Sequence, residues 1–284
     1  MSSDGRFLTF SYDQARELAV VETATGRVVA RAVHDDVIMS SQFSRDGRYL
    51  VTTGDNTARI WESDGGKAVH KLALSSRALS ANFSADGRLL ATTGSDGLAR
   101  VWDPASGSEL RRLDHEGYVS TVAFSPDARR LATSTARAVY VWEVDTGQRI
   151  GSLRHDASSD FIAFSPDGAY LASGSRDHSA RVWDLDRLAE VARMTDEGEA
   201  FRVAFDATGR FLLAEHTNAA SYFWRMWLWR PADLVAEACA RLSYNLSTDE
   251  WQRYLGNKAY RPTCPSLPQR PPPPPDAVDT SIPR

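Results

Sequence analysis

Apolar and polar positions alternate with a period of two along most of the chain. Residues 161–184, FIAFSPDGAYLASGSRDHSARVWD, show the unit: an apolar run, a polar turn, a second apolar run, another turn, and a third run ending in Trp-Asp. Alternation over four to eight residues predicts half-buried β-strands, and the Gly, Asp and Asn clusters between them predict tight turns. The first turn recurs as SSDGR (2–6), SRDGR (44–48), SADGR (84–88), SPDAR (125–129), SPDGA (165–169) and DATGR (206–210), with starts 42, 40, 41, 40 and 41 residues apart. The end of the third run recurs in step as IWE (60–62), VWD (101–103), VWE (141–143) and VWD (182–184), with weaker copies VVE (20–22) and LWR (228–230).

Each full copy parses into four strands: a segment such as 119–124, a second such as 170–175, a third such as 179–184, and a more polar fourth such as 109–115. Four antiparallel strands per repeat of this length predict one blade of a β-propeller. These residues resemble the WD-repeat β-propeller family over positions 1–230. The expected fold is all-β, a propeller of about six four-stranded blades with the first and last incomplete, followed by a short helical appendage.

The resemblance implies a buried hydrogen-bonded set in each blade, made of a His before the first strand, a Ser or Thr on the second, an Asp in the next turn, and the Trp. Matched onto this chain, the sets are His34, Thr52, Asp55 and Trp61, and His155, Ser173, Asp177 and Trp183. One blade has Leu74 in place of His and keeps Thr92, Asp96 and Trp102. Another has His115, Thr133 and Trp142 but Ala136 in place of Asp. Those two blades should be less tightly tied. Buried polar groups are tolerable only with partners, and such a chain of donors and acceptors supplies them.

The ends fit less well. The first repeat has only its later strands, near 7–10, 18–22 and 27–33, and the last gives three strands before Pro231. Either six blades close with an unusual seam or the chain is the C-terminal piece of a longer protein. The last strand, SYFWRMWLWR (221–230), is dense in aromatics. It reads as a strand buried on both faces, with an exposed aromatic ledge as the alternative.

From Pro231 the period becomes 3.6. Pro at the first helical position and the face Leu234, Val235, Ala238 and Leu242 predict a helix. Ser247 and Glu250 have capping-box spacing and open a second, carrying Trp251, Tyr254 and Leu255. Residues 231–256 are thus two short helices docked on the propeller, and 257–284, with five consecutive prolines, a Pro-rich and largely disordered tail. The phrase at 242–268 resembles a tail that follows WD repeats in large bacterial signalling proteins of the STAND type. That resemblance implies an upstream effector or nucleotide-binding domain as a partner.

Composition narrows the function classes. A net charge of −4 and no basic clustering argue against nucleic acid. No apolar run approaches a membrane span, and residues 1–10 lack a signal-peptide layout. Two cysteines, Cys239 and Cys264, are too few for a disulfide framework, so a reducing cytoplasm is the default. Cys264 reads as structural or incidental, and the Asn245-Leu-Ser247 triplet means little without a secretory route.

Phosphate-loop, nucleophile-elbow, H-E-x-x-H and C-x-x-C patterns are all missing from the sequence, so no cofactor is expected. Histidines recurring once per blade would be held apart, which excludes a shared metal. The Asp-Gly pairs are turn formers rather than paired acids.

The functional expectation is a non-catalytic protein-interaction scaffold or sensor whose partners are other proteins. Its loops before each first strand are acidic, at Asp35, Asp36, Asp114, Glu116, Asp156, Asp160, Asp196, Glu197 and Glu199. With Arg137, Arg176 and His178 as basic counterpoints, Asp35, Asp36, Glu116 and Asp160 mark a candidate partner face. The alternative is a propeller enzyme with a central-channel active site.

Overall fold

The computed structural model describes residues 1–11, 15–195, 198–218, 221–241, 245, 262, 264 and 266–268. It forms six antiparallel sheets, each with its strands in chain order. The first is β1 (Phe7–Phe10), β2 (Glu17–Glu22) and β3 (Val28–Val33). The second is β4 (Ile38–Phe43), β5 (Tyr49–Gly54), β6 (Thr57–Glu62) and β7 (Ala68–Ala73). The third is β8 (Ala78–Phe83), β9 (Leu90–Gly94), β10 (Leu98–Asp103) and β11 (Ser108–Asp114). The fourth is β12 (Thr121–Phe124), β13 (Arg130–Ser134), β14 (Ala138–Glu143) and β15 (Arg149–Arg154). The fifth is β16 (Ser159–Phe164), β17 (Tyr170–Ser175), β18 (Ser179–Asp184) and β19 (Ala189–Thr195). The sixth is β20 (Glu199–Phe205), β21 (Phe211–Asn218) and β22 (Ser221–Leu228).

The recurring Ser-x-Asp-Gly phrase makes the hairpin between the first two strands of a sheet. Ser44 Oγ donates to Asp46 Oδ1 at 2.6 Å and accepts from the Tyr49 amide at 2.9 Å, while Asp46 also accepts from the Arg48 amide at 3.1 Å. The turn needs a left-handed residue, and Gly47 supplies it at φ 71°. In the fourth sheet Ala128 occupies that conformation at φ 59°.

Sheets stack through alternate residues. Residues facing the following sheet form its trailing face, and those facing the preceding sheet its leading face. Val51, Ala58, Ile60 and Leu72 of the second sheet pack against Ala81, Phe83, Leu90 and Trp102 of the third. Ala91, Ala99, Val101 and Leu113 repeat this against Val122, Leu131 and Trp142. Ala132, Val139, Val141 and Leu153 repeat it against Leu171 and Trp183. The alternation read from sequence therefore holds two inter-sheet cores at once, one on each side of every interior sheet.

Residues 1–227 form one compact unit and residues 228–284 a second. In the second, α1 (Pro231–Arg241) carries Asp233 in its first turn, favourable at a helix N-terminus. Its Leu234 and Val235 are 49% and 43% exposed, so these two members of the expected apolar face are not buried. The expected second helix around 247–255, Leu242 and the tail 269–284 lie outside the described residues.

Cys239 and Cys264 form a disulfide, with Cα atoms 5.4 Å apart. Two cysteines, too few for a disulfide framework, still make one bridge. A cysteine count limits how many bridges exist, but pairing depends on which residues the fold brings together, here across 25 positions. Asn245, buried at 5% exposure, ties the same region: its Nδ2 donates to Cys264 O at 2.8 Å and Leu267 O at 2.7 Å, and its Oδ1 accepts from the Cys264 amide at 2.9 Å. The amide of the apparent glycosylation triplet is thus fully used inside the protein.

Candidate interaction face

The set residues sit at one end of each sheet, where a fourth strand hands over to the next sheet and where the second and third strands turn. In the fifth sheet Trp183 Nε1 donates to Ser173 Oγ at 2.7 Å, and that hydroxyl lies 2.7 Å from His155 Nε2. His155 Nδ1 lies 3.3 Å from Asp177 Oδ2. A carboxylate can only accept, so Nδ1 carries the proton and Nε2 accepts from Ser173. In the second sheet Trp61 and His34 each lie 2.8 Å from Thr52 Oγ1, and His34 Nδ1 is 3.4 Å from Asp55 Oδ2.

The third and fourth sheets each keep three of the four set residues. Trp102 and Trp142 donate to Thr92 and Thr133, both at 2.8 Å. Leu74 packs in the same apolar cluster as Trp102. His115 Nε2 sits 2.7 Å from Thr133 Oγ1, and its Nδ1, with no Asp available, meets Leu113 O at 3.0 Å. Burial pushes the imidazoles of His34, His115 and His155 below the usual histidine range, so all three are neutral at pH 7.

A further residue, missed at the level of sequence, anchors the carboxylates. Arg59, Arg100 and Arg181 stand two positions before the Trp, and they meet Asp55, Asp96 and Asp177 at 2.9, 2.7 and 2.5 Å. Arg100 and Arg181 are almost wholly buried and also face Glu109 at 3.5 Å and Glu190 at 3.4 Å. Burial alone would raise the Asp177 carboxyl. Hydrogen bonds from Ser179 and the Asp156 amide, with the charge of Arg181, hold it far below the usual range instead. The signal was present as A-R-I-W (58–61) and A-R-V-W (99–102, 180–183).

The same arginines reach outward. Arg59 Nη2 binds Asp35 and Arg181 Nη2 binds Asp156, both at 2.9 Å, although these carboxylates are 80% and 82% exposed. Asp36 pairs with Arg77 at 3.7 Å and Asp160 with Arg176 at 2.9 Å. Glu116, Arg137 and His178 are exposed. Asp35, Asp36, Asp55, Asn56, Thr57 and Lys71 line a hollow of about 370 Å³. Asp196 and Glu197 lie outside the described residues.

A larger hollow of about 670 Å³ at the opposite end of the sheets is lined by Asp86, Arg88, Asp103, Asp127, Arg129 and Asp145, among others. Asp86, Asp103 and Asp127 there accept backbone amides of their own turns. Among the described residues, no group of three or more His, Cys, Asp or Glu is placed to hold a metal ion. None of their helices is long and apolar enough to cross a membrane.

A family model described as WD domain, G-beta repeat matches residues 28–62, 67–103, 107–143 and 147–184. The chain belongs to the WD-repeat family. Each match runs from a fourth strand through the next three, ending at the Trp-Asp or Trp-Glu pair, so the family repeat is offset by one strand from the sheet. WD repeats generally serve as protein-interaction scaffolds rather than as enzymes, and the sheets described above have the form of propeller blades. The comparison with curated proteins gave no match.

Proposed function

We propose that this WD-repeat chain is a six-bladed protein-binding scaffold whose acidic loop end captures a basic segment of another protein. One observation carries the reading: Asp35 and Asp156 are four-fifths exposed, yet each is held at 2.9 Å by an arginine fixed inside its blade. An exposed carboxylate normally loses side-chain entropy on binding, and one already immobilised loses less. The hollow beside Asp35 adds Asp36 and Asp55 and suits an Arg or Lys side chain. Glu116 supplies a further exposed carboxylate on another blade.

Service in a bacterial regulatory assembly, with an upstream effector or nucleotide-binding domain, is supported by the resemblance of the 242–268 phrase. A cytoplasmic location would require the Cys239–Cys264 bridge to persist against cellular reductants. The test is crosslinking capture in the source cells with the wild type and an Asp35→Arg/Glu116→Arg/Asp156→Arg variant. A partner enriched by the wild type and lost from the variant is the expected result. An identical set of partners on both would overturn the acidic-end assignment.

A further inference from the structure

At the interior junctions both facing surfaces are closed. The leading-face leucines Leu50, Leu90, Leu131, Leu171 and Leu212 are all 0% exposed. So are Val51, Ala91, Ala132 and Ala172, the trailing-face residues that follow the first four of them. On the third strands, Ala58 and Ile60, Ala99 and Val101, and Ala180 and Val182 are at most 1% exposed.

The sixth sheet departs from this on one side only. Its leading face is closed: Leu212, Ala214 and His216 are each 0% exposed, and His216 meets the Trp227 ring edge-on at 5.5 Å. Trp227 follows Arg225 by two positions as Trp183 follows Arg181, so Trp227, and not Trp229 of LWR (228–230), is the blade tryptophan of this sheet. Counting back from it, Trp224 and Met226 take the places of Ala180 and Val182. They are 52% and 62% exposed. Between them and the sheet's other edge, Leu213 and Glu215 are half-buried where the matching residues of the interior sheets are sealed.

The first sheet shows the complementary pattern. Its trailing face is closed, with Leu18 at 3% and Val20 at 1%. Its leading face is not: Leu8, at the position of Leu50, is half-buried, and Phe10, at the position of Thr52, is 58% exposed, while Val21 is half-buried as Trp61 is at the matching position. Among the described residues no strand pairing joins the first and sixth sheets. One trailing and one leading half-junction, both apolar, are therefore left over on the same molecule.

We infer that the trailing face of the sixth sheet, Leu213, Trp224 and Met226, docks against the leading face of the first sheet, Leu8, Phe10 and Val21, of a second copy of this chain. The occupant follows from the repeat: at the interior junctions, what covers this face is the leading face of another blade, with its leucine and a large apolar side chain. The exposed large side chains fit that role, because Trp and Met on one half and Phe on the other add contact area where interior junctions use Ala, Val and Thr. The contact is heterologous, so it closes into a ring or grows into a chain according to the rotation between copies. It extends the interaction-module reading but does not use the acidic loop end.

The test uses the full chain. Light scattering across a hundredfold concentration range should show mass rising for the wild type and a constant monomer for Trp224→Glu/Met226→Glu, with circular dichroism confirming that the variant keeps its strands. Single variants Phe10→Cys and Met226→Cys, mixed and oxidised, should give a 10–226 crosslink between chains, mapped by mass spectrometry. A monomer at every concentration, association that survives the double Glu variant, or a 10–226 crosslink forming only within one chain of a Phe10→Cys/Met226→Cys protein would each overturn the inference. An Asp35→Arg/Asp36→Arg variant should associate like the wild type, so loss of partner capture and loss of self-association are read separately.

Discussion

Arg149 lies over the ring of Tyr140, with its guanidinium carbon 5.4 Å from the centroid. In the third and fifth sheets the same two positions hold Glu109 or Glu190 facing a buried Arg100 or Arg181. The fourth sheet has therefore exchanged a charge cluster as a unit: Ala136 for the Asp, Tyr140 for the Arg and Arg149 for the Glu. Tyr140 also contacts His115 at 5.3 Å between centroids, so the imidazole that lost its carboxylate gained an aromatic neighbour. The fourth blade is tied through different contacts.

That exchange makes a triple-mutant prediction. Asp96→Ala alone strips Arg100, 2% exposed at its side chain, of its principal counter-charge. Removing one member of a buried pair costs about 3–5 kcal/mol. Asp96→Ala/Arg100→Tyr/Glu109→Arg copies the fourth sheet and should recover most of that loss. Chemical denaturation of the three proteins measures it, and a triple variant no more stable than Asp96→Ala would contradict the unit exchange.

The repeat, the strand alternation and the Trp positions were legible in the sequence because each recurs in register, about forty residues apart, and the His and Ser/Thr positions followed from the resemblance to the WD-repeat family. The arginines were less so, although they recur equally, because an Arg in an alternating strand reads as a solvent-facing residue until a partner is placed beside it. The Tyr140–Arg149 contact and the Cys239–Cys264 bridge were illegible for another reason: each occurs once, and pairing between distant positions has no local signature. The aromatic strand was misread as buried on both faces. Trp224 and Met226 have the composition of a core, but no sheet among the described residues covers them.

Ala128 offers a stabilising change. It holds the left-handed conformation, φ 59°, that glycine holds at 47, 87 and 168. For an L-residue with a Cβ this costs roughly 1 kcal/mol. Ala128→Gly relieves it at the expense of some unfolded-state entropy. The expected net gain is a few tenths to about 1 kcal/mol, read as a rise in the denaturation midpoint. Asp127 and Ser125 keep their 2.6 Å bond in the variant, so no other change accompanies it.

Acid should unfold the sheets in two stages. His34, His115 and His155 titrate below their ordinary 6.5 because burial disfavours the imidazolium. The unfolded chain binds protons first, so their contribution is whole above pH 6.5 and declines as pH falls through the depressed values. Asp46, Asp86 and Asp127, lowered chiefly by the hydroxyls of Ser44, Ser84 and Ser125, add a second loss below their ordinary 3.8. Stability measured from pH 7.5 to 3 should fall from about pH 6.5. His155→Gln should flatten the first stage and leave the second in place.

The bridge in the C-terminal unit carries the last expectation. Closing a loop across 25 positions stabilises by about 3 kcal/mol through the unfolded state. Asn245 sits inside that loop with its side-chain amide donating two bonds to backbone carbonyls and accepting one from the Cys264 amide. Removing it leaves those groups unpaired, at about 1–3 kcal/mol. Reduction, or Asn245→Ala, should therefore raise proteolysis within 228–284, while hydrogen exchange in strands such as β10 and β18 of the first unit keeps its wild-type rate. Protein isolated with both thiols alkylated before lysis would report two free cysteines if the bridge does not form in the cell. Labelling only after reduction would establish the bridge and remove the case for a reducing compartment.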